Sequence, residues 1–276
     1  MKASTTSSPL SSRIAWCSDL HLEHLSTDRL VAFKDALQTS SADMIVITGD
    51  TCSSWRIGEK FKDLASLGKP VYFTTGNHEF YGSSFSAINS ILAAACLATP
   101  GLTRLGFGEV IPLSSKSVLI GHGGWGDGRA GVGEVSNYHT DDQYLIAELA
   151  GITHGQMFQK LRELGDRSAR YISDILPLAF KVADHVFIAT HVPPFEGASI
   201  YRNAPSSPEA APHFVNKALG RVLLKAARDN PAKAIVVLCG HTHTAAQYQP
   251  ATNLLVKVAS AIYGEPGIYE VIETMC

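Results

Sequence analysis

Short apolar runs bounded by polar or glycine positions recur along the chain at Arg13–Ser18, Met44–Thr48, Val71–Thr75, Val118–Ile120, Val186–Thr190 and Ile235–Cys239. Near-continuous runs of this kind predict strands covered on both faces. Leu254–Ala259 and Ile268–Ile272 alternate instead, which predicts antiparallel strands at the end of the chain. Helical spacing fills the early gaps. Leu30, Phe33 and Leu37 follow the capping candidates Ser26, Thr27 and Asp28. Phe61, Leu64 and Leu67 precede the stop signals Gly68 and Pro70, and Phe85–Ala98 is alanine-rich with no breaker. Strand–helix alternation predicts right-handed crossovers and a largely parallel sheet. A later helix begins near Gln156, with Phe158, Leu161 and Leu164 on one face, and is expected to end at Pro177.

Two stretches break this rhythm. Residues 121–142 carry seven glycines, and residues 193–212 carry prolines at 193, 194, 205, 208 and 212. Loops of this length in a compact fold are functional or disordered. Both leave strand ends directly, so both are expected to be functional.

Composition adds bounds. The 276 residues, 45% hydrophobic and 17% charged, describe a globular chain with ample core. No repeat or linker divides residues 13–276, so a single domain is expected behind a flexible Ser/Thr-rich tail at 1–12. A net charge of −2 gives no general affinity for nucleic acid or anionic membrane. No apolar run approaches the roughly 18–20 residues that span a bilayer. The tail lacks the apolar segment of a signal peptide, and a cytoplasmic location is the default expectation. The five cysteines form no C-x-x-C pair and are read as reduced.

The strand ends carry the chemistry: Asp19-Leu20-His21, Gly49-Asp50, Gly76-Asn77-His78-Glu79, Thr190-His191 and Gly240-His241-Thr242-His243. Each fragment alone is weak. Together they bring Asp19, His21, Asp50, Asn77, His191, His241 and His243 to the carboxyl ends of strands, where open α/β sheets bind ligands. Two aspartates, one asparagine and four histidines suit Mn, Fe, Zn or Co rather than Ca. Seven ligands are too many for one such ion and about right for two. Paired ions generate a nucleophile and clamp an in-line displacement, and their residual positive charge favours a phosphoryl group.

In this order the fragments resemble those of the calcineurin-like metallophosphoesterases, over Asp19 to His243. The resemblance implies an α/β fold, a four-layer α/β/β/α sandwich with the metal site at the C-terminal ends of the strands. It implies two divalent or mixed-valence transition-metal ions, Mn, Fe or Zn. Asp19, His21 and His243 would hold one, Asn77, His191 and His241 the other, and Asp50 would bridge them. A metal-bridging hydroxide would attack a small phosphorylated substrate, His78 would serve as acid or leaving-group stabiliser, and Glu79 would orient His78. The chain lacks the Asp-Arg-Gly that serine/threonine phosphatases carry after Gly-Asp. It has Ser53 where purple acid phosphatases have a metal-binding tyrosine, and so is nearer the small bacterial-type phosphoesterases. Monoester and diester substrates both remain open. So do two other readings, an inactive metal-bound binding or scaffold module and a nuclease of the same fold. His122, Asp127, Arg129, Tyr201 and Arg202 are candidates for substrate contact or plain loop residues. His24, His139, His154, His185 and His213 read as structural or surface histidines.

Overall fold

The structure, a computed structural model, describes residues 11–274. In chain order its elements are β1 (Arg13–Cys17), α1 (Thr27–Thr39), β2 (Met44–Thr48), α2 (Ile57–Ala65), β3 (Val71–Thr74), α3 (Phe85–Ala98), β4 (Leu102–Arg104), β5 (Ile111–Pro112) and β6 (Ser117–Gly121). There follow α4 (Asp142–Leu145), α5 (His154–Val182), β7 (His185–Ala189), β8 (Ile200–Tyr201), β9 (Ala204–Pro205), α6 (Ala211–Phe214), α7 (Lys217–Asp229), β10 (Ala234–Cys239), β11 (Ala246–Ala251), β12 (Leu254–Val258) and β13 (Glu270–Glu273).

The strands make two main sheets, ordered β13-β1-β2-β3-β4 and β11-β12-β10-β7-β6-β5. Within the first, β1 to β4 run parallel and β13 closes the edge antiparallel. Within the second, β6, β7, β10 and β12 run parallel between antiparallel edges. Strands β1, β2, β6 and β7 are almost wholly buried on both faces, which is why they read as continuous apolar runs, whereas β12 alternates buried and half-buried positions as its sequence does.

Three apolar layers follow. Ile14, Trp16 and Val46 of the first sheet face Leu119, Phe187 and Leu238 of the second. Phe33, Phe61, Leu64, Ile88 and Leu92 pack α1, α2 and α3 on the outside of the first sheet. Ile172, Leu176, Leu219 and Leu223 pack α5 and α7 on the outside of the second. Helix, sheet, sheet, helix is the four-layer sandwich. Burying side chains of this size contributes about 1.5–3 kcal/mol each. The inter-sheet layer therefore holds the two rows of strand ends in fixed register, and within it Trp16 Nε1 donates to Thr48 Oγ1 at 3.0 Å.

The early helices form where expected. Ser26 caps α1 by accepting from Arg29 N–H, and Ser84 caps α3 by accepting from Ala87 N–H. Several expectations need correction. Helix α5 runs through Pro177 to Val182. Pro177 and Ser173, whose carbonyl loses its intrahelical donor, both lie on the exposed side, where water replaces the lost bond. Leu254–Val258 is antiparallel to β11 but parallel to β10. Strand β11, AQYQPA, escapes the apolar pattern because it is a sheet edge, where Pro250 is tolerated. Residues 1–10 of the expected tail lie outside the described residues. Its last residue, Ser12, is buried and exchanges hydrogen bonds with Thr274 (N–H to Oγ1 and carbonyl from N–H, both 2.9 Å). Among the described residues no helix is long and apolar enough to cross a membrane.

Candidate metal centre

Asp19, Asp50, Asn77, His191 and His241 each stand two or three residues beyond the end of β1, β2, β3, β7 and β10. Turning a ligand back over the sheet so soon after a strand requires unusual backbone. Eight non-glycine residues among those described have positive φ, and Asp19, His21, Asp50, His241 and His243 are five of them. That conformation costs an L-residue on the order of 1–3 kcal/mol and concentrates at functional sites. The glycines in the motifs serve close approach. A Cβ on Gly76 would meet Asp50 Oδ1 at 2.2 Å and His191 Nε2 at 2.6 Å, and one on Gly240 would meet Asp19 Oδ2 at 2.1 Å.

The side chains gather in two clusters that share Asp50. One holds Asp19, His21, Asp50 and His243, the other Asp50, His191 and His241, each with donor atoms within 4.8 Å of one another. Both sheets contribute, and the strand-end loops are tied across them. His191 Nδ1 donates to the Thr48 carbonyl at 2.8 Å, and His241 N–H donates to Asp19 Oδ1 at 3.0 Å.

Hydrogen bonds fix which atom each side chain presents. With Nδ1 donating to Thr48, His191 turns Nε2 inward, 3.2 Å from Asp50 Oδ2. His241 Nε2 meets the His213 carbonyl at 3.3 Å, leaving Nδ1 facing His191 Nε2 at 3.2 Å. His21 Nε2 and His243 Nε2 also face each other at 3.2 Å. Between His191 and His241, whose other ring nitrogens are engaged by carbonyls, lone pairs set opposite one another call for a proton or a cation between them. Asn77 Nδ2 donates to Tyr81 Oη and to Asp142 Oδ1, both at 2.8 Å, which aims Oδ1 inward, buried and without a protein partner. An orphaned buried carbonyl oxygen carries a desolvation cost of about 1–3 kcal/mol unless a ligand satisfies it. The donor set fits two cations.

Electrostatics agree in sign. Burial raises the Asp19 carboxyl, but its hydrogen bond to His243 and the neighbouring imidazoles bring it down to about 2. Burial opposes ionisation of Asp50 too, and His191 and His78 hold it well below the usual range. Burial lowers His21 to about 4 and, helped by His191, lowers His241 to about 3, the neutral forms that bind metal. Burial also disfavours the charged form of His191, yet the Asp50 carboxylate raises it to about 10 without metal.

His78 lies at the cleft surface, its side chain 19% exposed and Nε2 3.9 Å from Asp50 Oδ2. Its N–H donates to Asp50 Oδ1 at 2.9 Å, and its ring lies against His21 and Tyr81. Glu79 does not orient it. The fully buried Glu79 carboxylate accepts from the N–H groups of Asp50 (3.0 Å), Thr51 (2.6 Å) and Gly76 (2.7 Å). It therefore braces two ligand loops against each other. Burial and then Asp50 push its pKa up to about 7, against the backbone donors.

The cleft is a cavity of about 290 Å³. Residues 138–142 of the first long loop form one wall, and Tyr201, Phe214 and Tyr263 complete the aromatic rim. Of the other candidates, Tyr201 is in the rim with Arg202 stacked on it at 5.2 Å. Asp127 and Arg129 pair with each other at 3.0 Å, and Arg129 reaches Asp166 at 2.8 Å, so that pair is structural. His122 lines a different cavity. His139 lines the cleft, and the His213 carbonyl holds His241. Sequence reasoning missed Tyr81 and Asp142, which fix Asn77, although Tyr81 stands only two residues past the Gly76-Asn77-His78-Glu79 fragment.

The profile of the calcineurin-like phosphoesterase family matches residues 12–245. No curated protein matches the sequence significantly. In fold the chain is similar to a dimetal phosphatase from Danio rerio, at 14% identity and TM-score 0.54, covering 95% of this chain and 89% of that one. It is also similar to TT1561 of Thermus thermophilus, at 12% identity and TM-score 0.53, covering 96% and 99%.

Proposed function

Because the chain belongs to the calcineurin-like phosphoesterase family, we propose that it is a metal-dependent hydrolase of a small phosphoester, with His78 as its acid. Asp19, His21 and His243 would hold one ion, Asn77 Oδ1, His191 and His241 the second, and Asp50 both. The observation that carries this reading is the pair of donor clusters meeting at Asp50. Bound there, the ions would supply positive charge for the phosphoryl oxygens and lower the pKa of water.

The protein's own residues do the rest. With two divalent ions bound, Asp19 and Asp50 would offset only part of their charge and leave the cleft attractive to an anion. His78 lines the cleft beside Asp50, where it would protonate or stabilise the oxygen leaving the phosphorus. Positioned acids of this kind contribute about 10²–10⁴ in rate. Glu79 holds the Asp50 and Gly76 turns so that the two clusters keep their spacing. Tyr138, Tyr201, Phe214 and Tyr263 offer flat apolar faces to a planar leaving group, and a cleft of about 290 Å³ admits a small substrate rather than a folded polymer.

His78→Ala, assayed on a chromogenic phosphodiester and a monoester with metal content measured in parallel, should lose about 10²–10⁴ in turnover while keeping its metal. Unchanged turnover would refute the role of His78, and failure of the metal-loaded protein on every ester offered would favour a binding module.

A further inference from the structure

Behind the ligand turn, on the far side of Thr75 from the metal cleft, lies a second cavity of about 260 Å³ that shares no lining residue with the cleft. Its polar lining includes four side chains able to donate, Arg104, His122, Arg167 and Tyr171. Arg104 donates to two neutral oxygens, Asn89 Oδ1 at 2.8 Å and Thr75 Oγ1 at 3.2 Å. No carboxylate pairs with it at salt-bridge distance among the described residues, and Arg167 also lacks such a pair. His122 Nδ1 accepts the Gly124 N–H at 3.1 Å, which places its proton on Nε2. Among the described residues that nitrogen has no protein partner. Tyr171 Oη accepts from Gly108 N–H at 2.9 Å, leaving its own hydrogen to donate. Burial and then the charges of Arg104 and Arg167 lower His122 to about 4.

The remaining walls are aromatic. Trp125, 6% exposed, packs edge-on against Phe85 at 5.4 Å, and Phe107 lies over the Arg104 guanidinium at 5.3 Å. Two guanidiniums, an imidazole N–H and a phenol hydroxyl converging between flat apolar faces complement an acid head on a planar body. We infer that this cavity is a binding site for a small aromatic anion, its phosphonate, phosphate or carboxylate head at Arg104, Arg167 and His122 and its ring beside Trp125. The site is separate from the metal centre.

Trp125 is a built-in reporter, and the two other tryptophans, Trp16 and Trp55, line neither cavity. The metal-loaded full-length protein is titrated with phenylphosphonate, benzoate and the neutral benzyl alcohol while tryptophan emission is followed. Saturable quenching is expected with both anions and not with the alcohol, strongest for the doubly charged phosphonate if phosphate is the natural head and for benzoate if carboxylate is. The response should disappear in Trp125→Phe. Arg167→Gln, at an exposed position, and His122→Asn, which keeps an acceptor for Gly124, should each weaken the anion by roughly tenfold or more. Asp50→Asn should leave the affinity within a factor of about two. The proposal is overturned if neither anion saturates, if benzyl alcohol binds as well as the anions, or if quenching survives Trp125→Phe. It is equally overturned if binding follows Asp50 rather than Arg167.

Discussion

The two cavities on either side of Thr75–Asn77 are opposites in charge. The cleft collects acceptors, the carboxylates of Asp19 and Asp50, the orphaned Asn77 Oδ1 and imidazole nitrogens that face one another at 3.2 Å. The cavity behind it collects donors, Arg104, Arg167, the His122 Nε2 proton and Tyr171 Oη. Each has polar atoms that the protein leaves without a hydrogen-bond partner, Asn77 Oδ1 in one and His122 Nε2 in the other, and burying such groups is unfavourable until something arrives to satisfy them. The sign of what is missing differs. One site asks for cations, the other for an anion, and only about one turn of chain separates them. A comparison based on volume or aromatic lining alone would treat them as alike.

The largest expected effect separates the two at once. Asp50→Asn removes the only carboxylate common to both ligand clusters. The change keeps an oxygen for His78 N–H, which Asp50 Oδ1 accepts at 2.9 Å, so the fold should survive. Metal content, measured by elemental analysis, and ester hydrolysis should both fall to background. Full metal occupancy in this variant would remove Asp50 as the shared ligand.

What the sequence discloses of these two regions is uneven for a physical reason. The ligand fragments are legible because each is local. A buried parallel strand writes a continuous apolar run, and the turn after it writes Gly-Asp or Gly-His. The helix caps Ser26 and Ser84 are local too. The partition of strands into two sheets is not written in any segment, since β4 and β5 are three and two residues long and β11 is a polar edge. The bracing of Asp50 and Gly76 by Glu79 joins loops 28 or more residues apart in one direction and three in the other, and spacing suggests a neighbour, His78, instead. The anion cavity draws Arg104, His122 and Arg167 from a strand end, a glycine loop and a helix. Nothing in their local patterns links them. Pro177 misleads because the penalty for proline depends on whether the freed carbonyl sees water, which is a tertiary property.

A smaller effect tests how the acceptor side is aimed. Tyr81 Oη accepts from Asn77 Nδ2 at 2.8 Å and donates to Asp142 Oδ1 at 2.7 Å. Tyr81→Phe keeps the ring that packs on His78 and deletes this relay. Outer partners that orient a metal ligand are typically worth about 10- to 100-fold in metal affinity. The variant should need that much more metal for half-maximal activity, with turnover at saturating metal falling less. A drop in saturated turnover with unchanged metal affinity would instead make Tyr81 a contact of the substrate.

The smallest effect falls on the boundary itself. Thr75 is nearly buried, its Oγ1 accepts from Arg104 Nη2 at 3.2 Å, and it directly precedes the Gly76–Asn77 turn. Thr75→Val keeps the shape and removes the acceptor. A hydrogen bond from a charged donor is worth about 1.5–3 kcal/mol at most, and Arg104 retains Asn89, so the loss of stability should be about 1 kcal/mol. Two outcomes are informative. If the cavities are independent, the freed guanidinium turns to the bound anion, phenylphosphonate affinity rises a few-fold, and the metal requirement stays fixed. If the metal requirement moves in step with anion affinity, Thr75 couples the sites, because each ligand must then alter the other's affinity by the same factor. Tryptophan titration and metal titration on one variant therefore decide whether the turn is a wall or a lever.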